Sequence, residues 1–350
     1  MMIVRKRLRN RNCRRSAEQD RMKLNKQNLV LNDLASELGL SKSTVSRAIS
    51  GNGRVSDETR KRVLEYAEMH GFTPNSIASS LARSRTNNIG VVIPSEAFYN
   101  EIPFFQECLM GVCEAASKRN YDVLIAPIAE SDISVLKRIV SNRKVDGVLL
   151  TRSLVVDYPA DFLKAAHVPF VTVGTSSDPA IVQVDTDTVT ACRTLTKQIL
   201  VSCTTRIALI LGSLDYIVNK ARLEGFTQAL QEAGREIEPS LLFTNVTGGK
   251  SVKDACVRAA ANGAKCILCG DDYICAKVVE QLVASGRTDV NVSAFYNSDI
   301  LRNLPLVSSV VSVDVRSYGV AAGETLIRLL EHEPIEQKTF VPHTILNYRS

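Results

Sequence analysis

The chain has 350 residues, of which 43 are basic and 37 acidic, and no apolar run long enough to cross a membrane. Its basic amino-terminal segment lacks the apolar stretch of a signal peptide, so we expect a cytoplasmic protein of two or three domains. Residues 1–85 hold 18 of the basic but only 8 of the acidic side chains. This asymmetry predicts that a polyanion binds at the amino-terminal part.

Residues 1–28 contain the run RKRLRNRNCRR and little that could build a core. We predict a disordered basic extension that adds non-specific phosphate contacts. The alternative is that translation begins at Met22, which would leave a short lead into the first helix.

The segment Leu31–Ser50 has the pattern of two short helices joined by a tight turn. Apolar residues recur at helical spacing on both sides of Gly39, which favours a left-handed turn, and Ser41 is a candidate N-cap. The polar face of the second helix carries Lys42, Ser43, Ser46 and Arg47. Such a face suits the major groove of DNA, so the pattern predicts a helix-turn-helix. The alternative is an ordinary helical hairpin with a solvated face.

A third helix follows, capped by Ser56 and ended by Gly71, and completes a predicted headpiece over residues 29–72. Asn75 is predicted to cap a short helix in the linker 73–88. A helix this short has little stability alone, so DNA or a partner chain must hold it.

From residue 89 to residue 350, apolar strands alternate with amphipathic helices in two series of similar size. This alternation predicts parallel sheets with right-handed crossovers. We therefore expect an all-α headpiece followed by an α/β domain of two parallel-sheet lobes, with the chain crossing near 185–188 and 312–316. Ligands bind at the carboxyl ends of parallel strands, which places a binding cleft between the lobes.

The remaining motifs do not predict catalysis. Thr247–Ser251 is similar to a phosphate-binding loop, but Thr244 stands where the first glycine belongs. Cys266 and Cys269 have the spacing of metal ligands, yet they fall in a predicted strand and face opposite ways. All nine cysteines are interpreted as reduced residues, and the four histidines are scattered. We expect no enzymatic activity, no metal and no cofactor.

Several segments in sequence order closely resemble the lactose/purine-repressor (LacI/GalR) family of bacterial transcription regulators. They are DLA, GLS, TVSRAISG, VSDETRKRV, GFTPN, IASSLA and IGVVIP, and the resemblance covers nearly everything after residue 28. It implies a repressor that binds a near-palindromic double-stranded operator as a homodimer or tetramer. It also implies a body similar to periplasmic sugar-binding proteins, whose small-molecule effector is a sugar or sugar derivative.

The resemblance further implies roles for individual residues in DNA binding. The implied base contacts are Lys42, Ser43 and Arg47. The implied contacts to the DNA backbone are Leu31, Ser41, Thr44 and Ser46. Leu81, helped by Asn75 and Ala78, would lever apart the central base step in the minor groove. The alternative for Leu81 is a core residue at the domain junction.

The effector site implied by the resemblance consists of residues from both lobes. They are Phe104, Phe105, Arg222, Asp271, Asp272, Tyr296 and Asn297. Arg222 would donate to effector oxygens, whereas the alternative is a surface arginine at a helix start. Phe104 and Phe105 would flank the effector or belong to the core.

The sequence departs from the family pattern at three points of this site. Asp271 replaces the usual Asn, Tyr296 replaces the usual aspartate ligand, and no Trp is present in the chain to stack on a sugar. These departures leave the effector open. A solute-binding protein of periplasmic type without DNA function is the alternative, but it would need a signal peptide and no basic amino terminus. A sugar kinase would need a working phosphate loop.

Overall fold

The computed structural model describes residues 31–50, 53–72, 85–96, 102–130, 132–202 and 206–348. The chain forms two compact units, Met1–Ser84 and Arg85–Ser350, which we call the headpiece and the body and describe separately. The predicted hinge residues Asn75, Ala78 and Leu81, and the basic extension, lie outside the described residues. Within the described ranges, no helix is both long and apolar enough to span a bilayer.

The headpiece has the three predicted helices. They are α1 (Leu31–Leu38), α2 (Lys42–Ser50) and α3 (Asp57–Met69). Leu34, Val45 and Val63, one from each helix, are fully buried and form the centre of its core. Gly39 makes the turn between α1 and α2 with φ +65°, in the left-handed region that glycine enters at no steric cost.

Two serine caps fix where the helices of the headpiece begin. The Ser41 hydroxyl accepts a hydrogen bond from the Thr44 amide at 3.1 Å, and the Ser56 hydroxyl accepts one from the Thr59 amide at 3.3 Å. Each cap satisfies a backbone donor that the first helical turn leaves without a partner. Both predicted caps are confirmed.

The body alternates strands and helices as predicted. Its strands are β1 (Asn88–Pro94), β2 (Asp122–Ile128), β3 (Gly147–Leu150), β4 (Phe170–Val173), β5 (Val182–Asp185), β6 (Ile207–Ile210), β7 (Leu242–Phe243), β8 (Cys266–Cys269), β9 (Asn291–Phe295), β10 (Val307–Val313), β11 (Lys338–Phe340) and β12 (His343–Asn347). Its helices are α4 (Pro103–Lys118), α5 (Ser134–Ser141), α6 (Tyr158–Ala165), α7 (Thr188–Ser202), α8 (Ile217–Glu232), α9 (Gly248–Ala261), α10 (Asp272–Ala284), α11 (Asp299–Arg302) and α12 (Val315–Leu330).

These strands form two six-stranded sheets, one in each lobe. The sheet of lobe 1 has the order β11-β5-β4-β3-β1-β2 and is parallel throughout. The sheet of lobe 2 has the order β12-β10-β9-β8-β6-β7, and only β12 runs antiparallel to its neighbour. Strands β3, β4, β6 and β8 are buried along their whole length, because helices cover both faces of a parallel sheet.

The chain crosses between the lobes after β5, after β10 and after β11. The sequence analysis expected the first two crossings and missed the third. Strands β11 and β12 are short and partly exposed edge strands, so they carry no alternating apolar pattern. Strand β7 is only two residues long, since a 3-10 turn at Pro239–Leu241 precedes it.

Helix α12 returns to lobe 1 and packs against α4 with the two backbones in contact. A Cβ atom added at Gly319 would lie 2.0 Å from the carbonyl oxygen of Cys108, and one added at Gly111 would lie 2.1 Å from that of Arg316. No side chain fits at either position, so the two helices form one rigid pair.

Candidate functional site

The exposed face of α2 presents together the three predicted base-contacting side chains and Ser46, a predicted contact to the DNA backbone. Lys42, Ser43, Ser46 and Arg47 are all exposed, and their spacing along α2 places them on one side of the helix. Ser41 is exposed as well, whereas Thr44 and Leu31 are half-buried. The face therefore offers two cations and several hydroxyl groups, the donors that base edges and phosphates accept.

A cavity of about 100 Å³ lies between the lobes of the body. It is lined by side chains that follow the carboxyl ends of strands in both sheets, together with residues of α4, α8 and α12. The predicted residues that line it are Phe104, Phe105, Arg222, Asp271 and Tyr296. Lining residues that the sequence analysis missed include Arg152, Asp185, Tyr216, Asn219 and Tyr318.

Two predicted site residues do not line this cavity. Asp272 is the first residue of α10 and is buried inside lobe 2, because the chain turns into the helix after Asp271. Asn297 accepts a hydrogen bond from the hydroxyl group of Tyr348. Their assignment to the effector site therefore stays a prediction that the lining of this cavity does not support.

Arg222 lies in the second turn of α8 and is only 3% exposed, so the surface alternative for this residue is wrong. Its guanidinium donates to the side-chain oxygen of Asn219 at 3.0 Å and to the hydroxyl of Tyr296 at 3.1 Å. The guanidinium carbon lies 4.6 Å from the ring centroid of Phe295. Its Nε is buried without a hydrogen-bond partner among the described residues. These contacts fix the guanidinium at the cavity wall.

Asp271 is the acceptor on the same side of the cavity. It caps α10 through a hydrogen bond from the Ile274 amide to its Oδ1 at 2.8 Å. Burial, and then the neighbouring carboxylate of Asp272, raise the pKa of Asp271 to about 6, while Arg222 acts in the opposite direction. Burial also raises the pKa of Asp272. The cavity thus holds a carboxyl group that changes its charge near neutral pH.

Aromatic rings from both lobes meet beside Arg222. The ring centroid of Phe104 lies 5.0 Å from that of Tyr296 and 6.0 Å from that of Tyr318. Tyr296 has φ +70°, which is unfavourable for a side chain of this size, and its ring contacts hold it there. Phe104 is 8% exposed and belongs both to the core and to the cavity, so its two predicted roles coincide.

The described residues do not gather three His, Cys, Asp or Glu side chains in a way that could hold a metal ion. Their cysteines are free thiols, and burial raises the pKa of Cys108 and Cys192 to about 12. The polar groups of the cavity are hydrogen-bond donors and acceptors, which suit reversible binding of a polar ligand.

Comparison with known families gives two matches in the order of the two units. The family described as bacterial regulatory proteins of the lacI family matches residues 30–75. The family described as periplasmic binding proteins and sugar binding domain of the LacI family matches residues 86–315, more than half of the chain. The chain belongs to the LacI family. It is a transcription regulator with a DNA-binding headpiece and an effector-binding body.

Individual relatives agree with this family assignment. The chain is 35% identical to the regulator MalR of Streptococcus pneumoniae serotype 4 over 207 residues, which are 58% of this chain and 63% of MalR. It is 31% identical to the regulator AglR of Rhizobium meliloti over 309 residues, 86% of each chain. The fold is similar to that of the lac repressor dimer bound to operator and the anti-inducer ONPF, with a TM-score of 0.75 and 20% identity over 92% of this chain and 98% of that chain.

Proposed function

We propose that this LacI-family chain is a repressor that binds a near-palindromic operator as a homodimer and that a sugar or sugar derivative in the cavity controls its affinity for DNA. The observation that carries the proposal is the presence, on one chain, of an exposed cationic face on α2 and a cavity with a fixed donor and a fixed acceptor. The similar lac repressor structure is a dimer on its operator.

On the DNA side, the proposal assigns base contacts to Lys42, Ser43 and Arg47. A well-placed side chain in the major groove discriminates against a wrong base by about 1–3 kcal/mol, and a dimer makes each contact twice. The proposed backbone contacts are Leu31, Ser41, Thr44 and Ser46. We assign the central minor groove to Asn75, Ala78 and Leu81, as in the sequence analysis.

On the ligand side, the polar groups of the cavity favour a polyhydroxy compound. A sugar hydroxyl both donates and accepts, so one hydroxyl can donate to the Asp271 carboxylate while another accepts from Arg222. The rings of Phe104 and Tyr296 give an apolar face to the sugar ring. Tyr296 stands where the family usually has a carboxylate. Its hydroxyl already accepts a hydrogen bond from Arg222, so fewer Arg222 donors remain for the ligand and fewer sugars can bind well.

The rigid pair of α4 and α12 is the proposed route between the two sites. Both helices place cavity residues in their first turns, Phe104 in α4 and Tyr318 in α12. Helix α12 has 16 residues and is therefore about 24 Å long. At its far end the carbonyl oxygen of Leu330 accepts a hydrogen bond from Arg85 at 2.5 Å. A shift at the cavity would thus move the residue from which the chain leads to the headpiece.

The experiment that tests the proposal starts from a library of random DNA duplexes. Duplexes that bind the full-length protein are selected, and footprinting on the selected duplexes shows which positions the protein protects. We expect two symmetric half-sites, and operator affinity should then change when sugars and phosphorylated sugars are added one by one. Binding of a sugar without any symmetric footprint would favour the solute-binding alternative instead.

A further inference from the structure

The two lobes are joined by a backbone contact in addition to the three crossings. Residues 153–155 follow β3 in lobe 1, and they run antiparallel to residues 215–217 at the start of α8 in lobe 2. The Val155 amide donates to the carbonyl oxygen of Asp215 at 2.8 Å, and the Ile217 amide donates to that of Ser153 at 3.2 Å. We call this pair of segments the interlobe strap.

A side-chain cluster at Tyr216 reinforces the strap. Arg152 of lobe 1 donates to the Tyr216 hydroxyl at 2.9 Å, and that hydroxyl donates to the carboxylate of Glu130, also in lobe 1. Arg152 in turn forms an ion pair with Glu96 at 3.3 Å and is largely buried. Tyr216 is 4% exposed, so its hydroxyl is held between charged groups in a partly desolvated place, where hydrogen bonds are strong.

The strap and the crossings lie on different sides of the cavity. In lobe 1 the strap follows β3, which is two or three strands from the crossing strands β5 and β11, about 10–14 Å away. In lobe 2 it follows β6, three or four strands from β10 and β12, about 14–19 Å away. Asp185 and Tyr318 line the cavity near the crossings, whereas Arg152 and Tyr216 line it at the strap. Connections between the lobes therefore border the cavity on both sides.

We infer that the interlobe strap is a latch across one side of the cavity and that Tyr216 is the positioning residue that holds it closed. A ligand that enters or leaves on this side passes through the population in which residues 153–155 and 215–217 have separated. The latch then slows both association and dissociation of that ligand. This inference rests on the proposed function in one respect, namely that the cavity is the effector site.

The test is amide hydrogen exchange on the full-length, ligand-free protein. We expect the amides of Val155 and Ile217 to be protected in the wild type, because each is hydrogen-bonded across the strap. Tyr216→Phe removes the hydroxyl from two hydrogen bonds, one to Arg152 and one to Glu130, and should speed exchange at both amides about tenfold. Tyr158→Phe, which removes an exposed hydroxyl, should leave both rates unchanged.

An amide inside the core of lobe 2 separates strap opening from general loss of stability. The Leu211 amide donates to the carbonyl oxygen of Phe243 at 2.8 Å, and its exchange should not change in Tyr216→Phe. Unprotected Val155 and Ile217 amides in the wild type would overturn the inference. The inference would also be overturned if the exchange rate of the Val155 amide increased in Tyr216→Phe and that of the Leu211 amide increased equally. Either outcome leaves the selection of DNA sites, and thus the proposed function, unaffected.

Discussion

The headpiece and the body use the same kinds of side chain in opposite ways. In the headpiece, the candidate site is the outer face of α2, and the core formed by Leu34, Val45 and Val63 only supports it. In the body, the candidate site is internal: Arg222 is buried, and burial raises the pKa of Asp271 against the opposite effect of the Arg222 charge. Arg47 is exposed to solvent on α2, whereas Arg222 is buried and donates hydrogen bonds to Asn219 and Tyr296.

In the headpiece, DNA binding and stability therefore depend on different residues. In the body, ligand binding and stability depend on the same residues. Substitutions on α2 should change DNA binding without changing the fold, because exposed side chains contribute little to the free energy of unfolding. Substitutions at the cavity or at the α4–α12 contact should change stability as well. The following substitutions test that separation.

The largest expected effect is on DNA binding by Arg47→Ala. Loss of one base contact in each half-site should weaken binding to the selected operator by about 1000-fold, at about 2 kcal/mol for each contact. The midpoint of thermal unfolding should stay the same. Lys61→Ala, which removes an exposed cation from α3, is the matched control and should bind almost normally. Equal operator affinity in the two variants would remove Arg47 from the interface.

The next largest effect is on stability by Gly319→Ala. The new methyl group would lie 2.0 Å from the backbone of α4, so the helices must separate, and the free energy of unfolding should fall by about 3 kcal/mol or more. Gly249→Ala in α9 is the control, because its methyl group would meet only the Tyr273 hydroxyl at 3.5 Å. Denaturant titration measures both. Similar midpoints would show that the α4–α12 pair is not rigid.

A smaller effect, with a defined pH dependence, is expected for Asp271→Asn. The pKa of Asp271 is raised to about 6 in the folded chain, whereas the unfolded chain loses this proton at about pH 4. The folded state is therefore destabilised progressively as the pH rises from about 4 to about 6, and the full penalty is present above that range. Asparagine keeps the helix cap and removes the charge. We expect the variant to be more stable than the wild type by about 1–3 kcal/mol at pH 8. The gain should vanish near pH 4.

The control for that pH dependence is Asp254→Asn, which removes the same charge from an exposed position in α9. Thermal unfolding across pH 4–8 should show little change for this variant. If Asp271→Asn behaves like Asp254→Asn at every pH, the cavity is more hydrated than its burial indicates, and the contrast between the two units weakens.

Local signals explain why the headpiece could be predicted almost completely from the sequence. Gly39, Ser41 and Ser56 act on the backbone within a few residues of themselves, so their roles follow from the sequence. The same logic gave the parallel sheets of the body, because alternating strands and helices leave few other arrangements. The edge strands β11 and β12 carry no such signal and were missed.

The cavity could be predicted only in part, because its geometry depends on pairing between distant segments. Arg152 and Tyr216 are 64 residues apart, and nothing in the sequence brings them together before both lobes have formed. The family resemblance implied that Arg222 contacts the effector, and the structure places this residue, buried, in the cavity lining. Asp272 is buried at the start of α10 and does not line the cavity, and residue type alone does not reveal this placement.

The central claim is that the DNA face and the cavity share one free energy of coupling, and reciprocal titration tests it most directly. Operator affinity is measured with and without the sugar that emerges from the screen, and sugar affinity is measured with and without the operator. We expect both affinities to change by the same factor, about 5- to 150-fold. In Arg222→Met, where the donors at the cavity wall are lost, the sugar should no longer affect operator binding. A sugar that binds the wild type with the same affinity whether or not operator is present would refute the coupling.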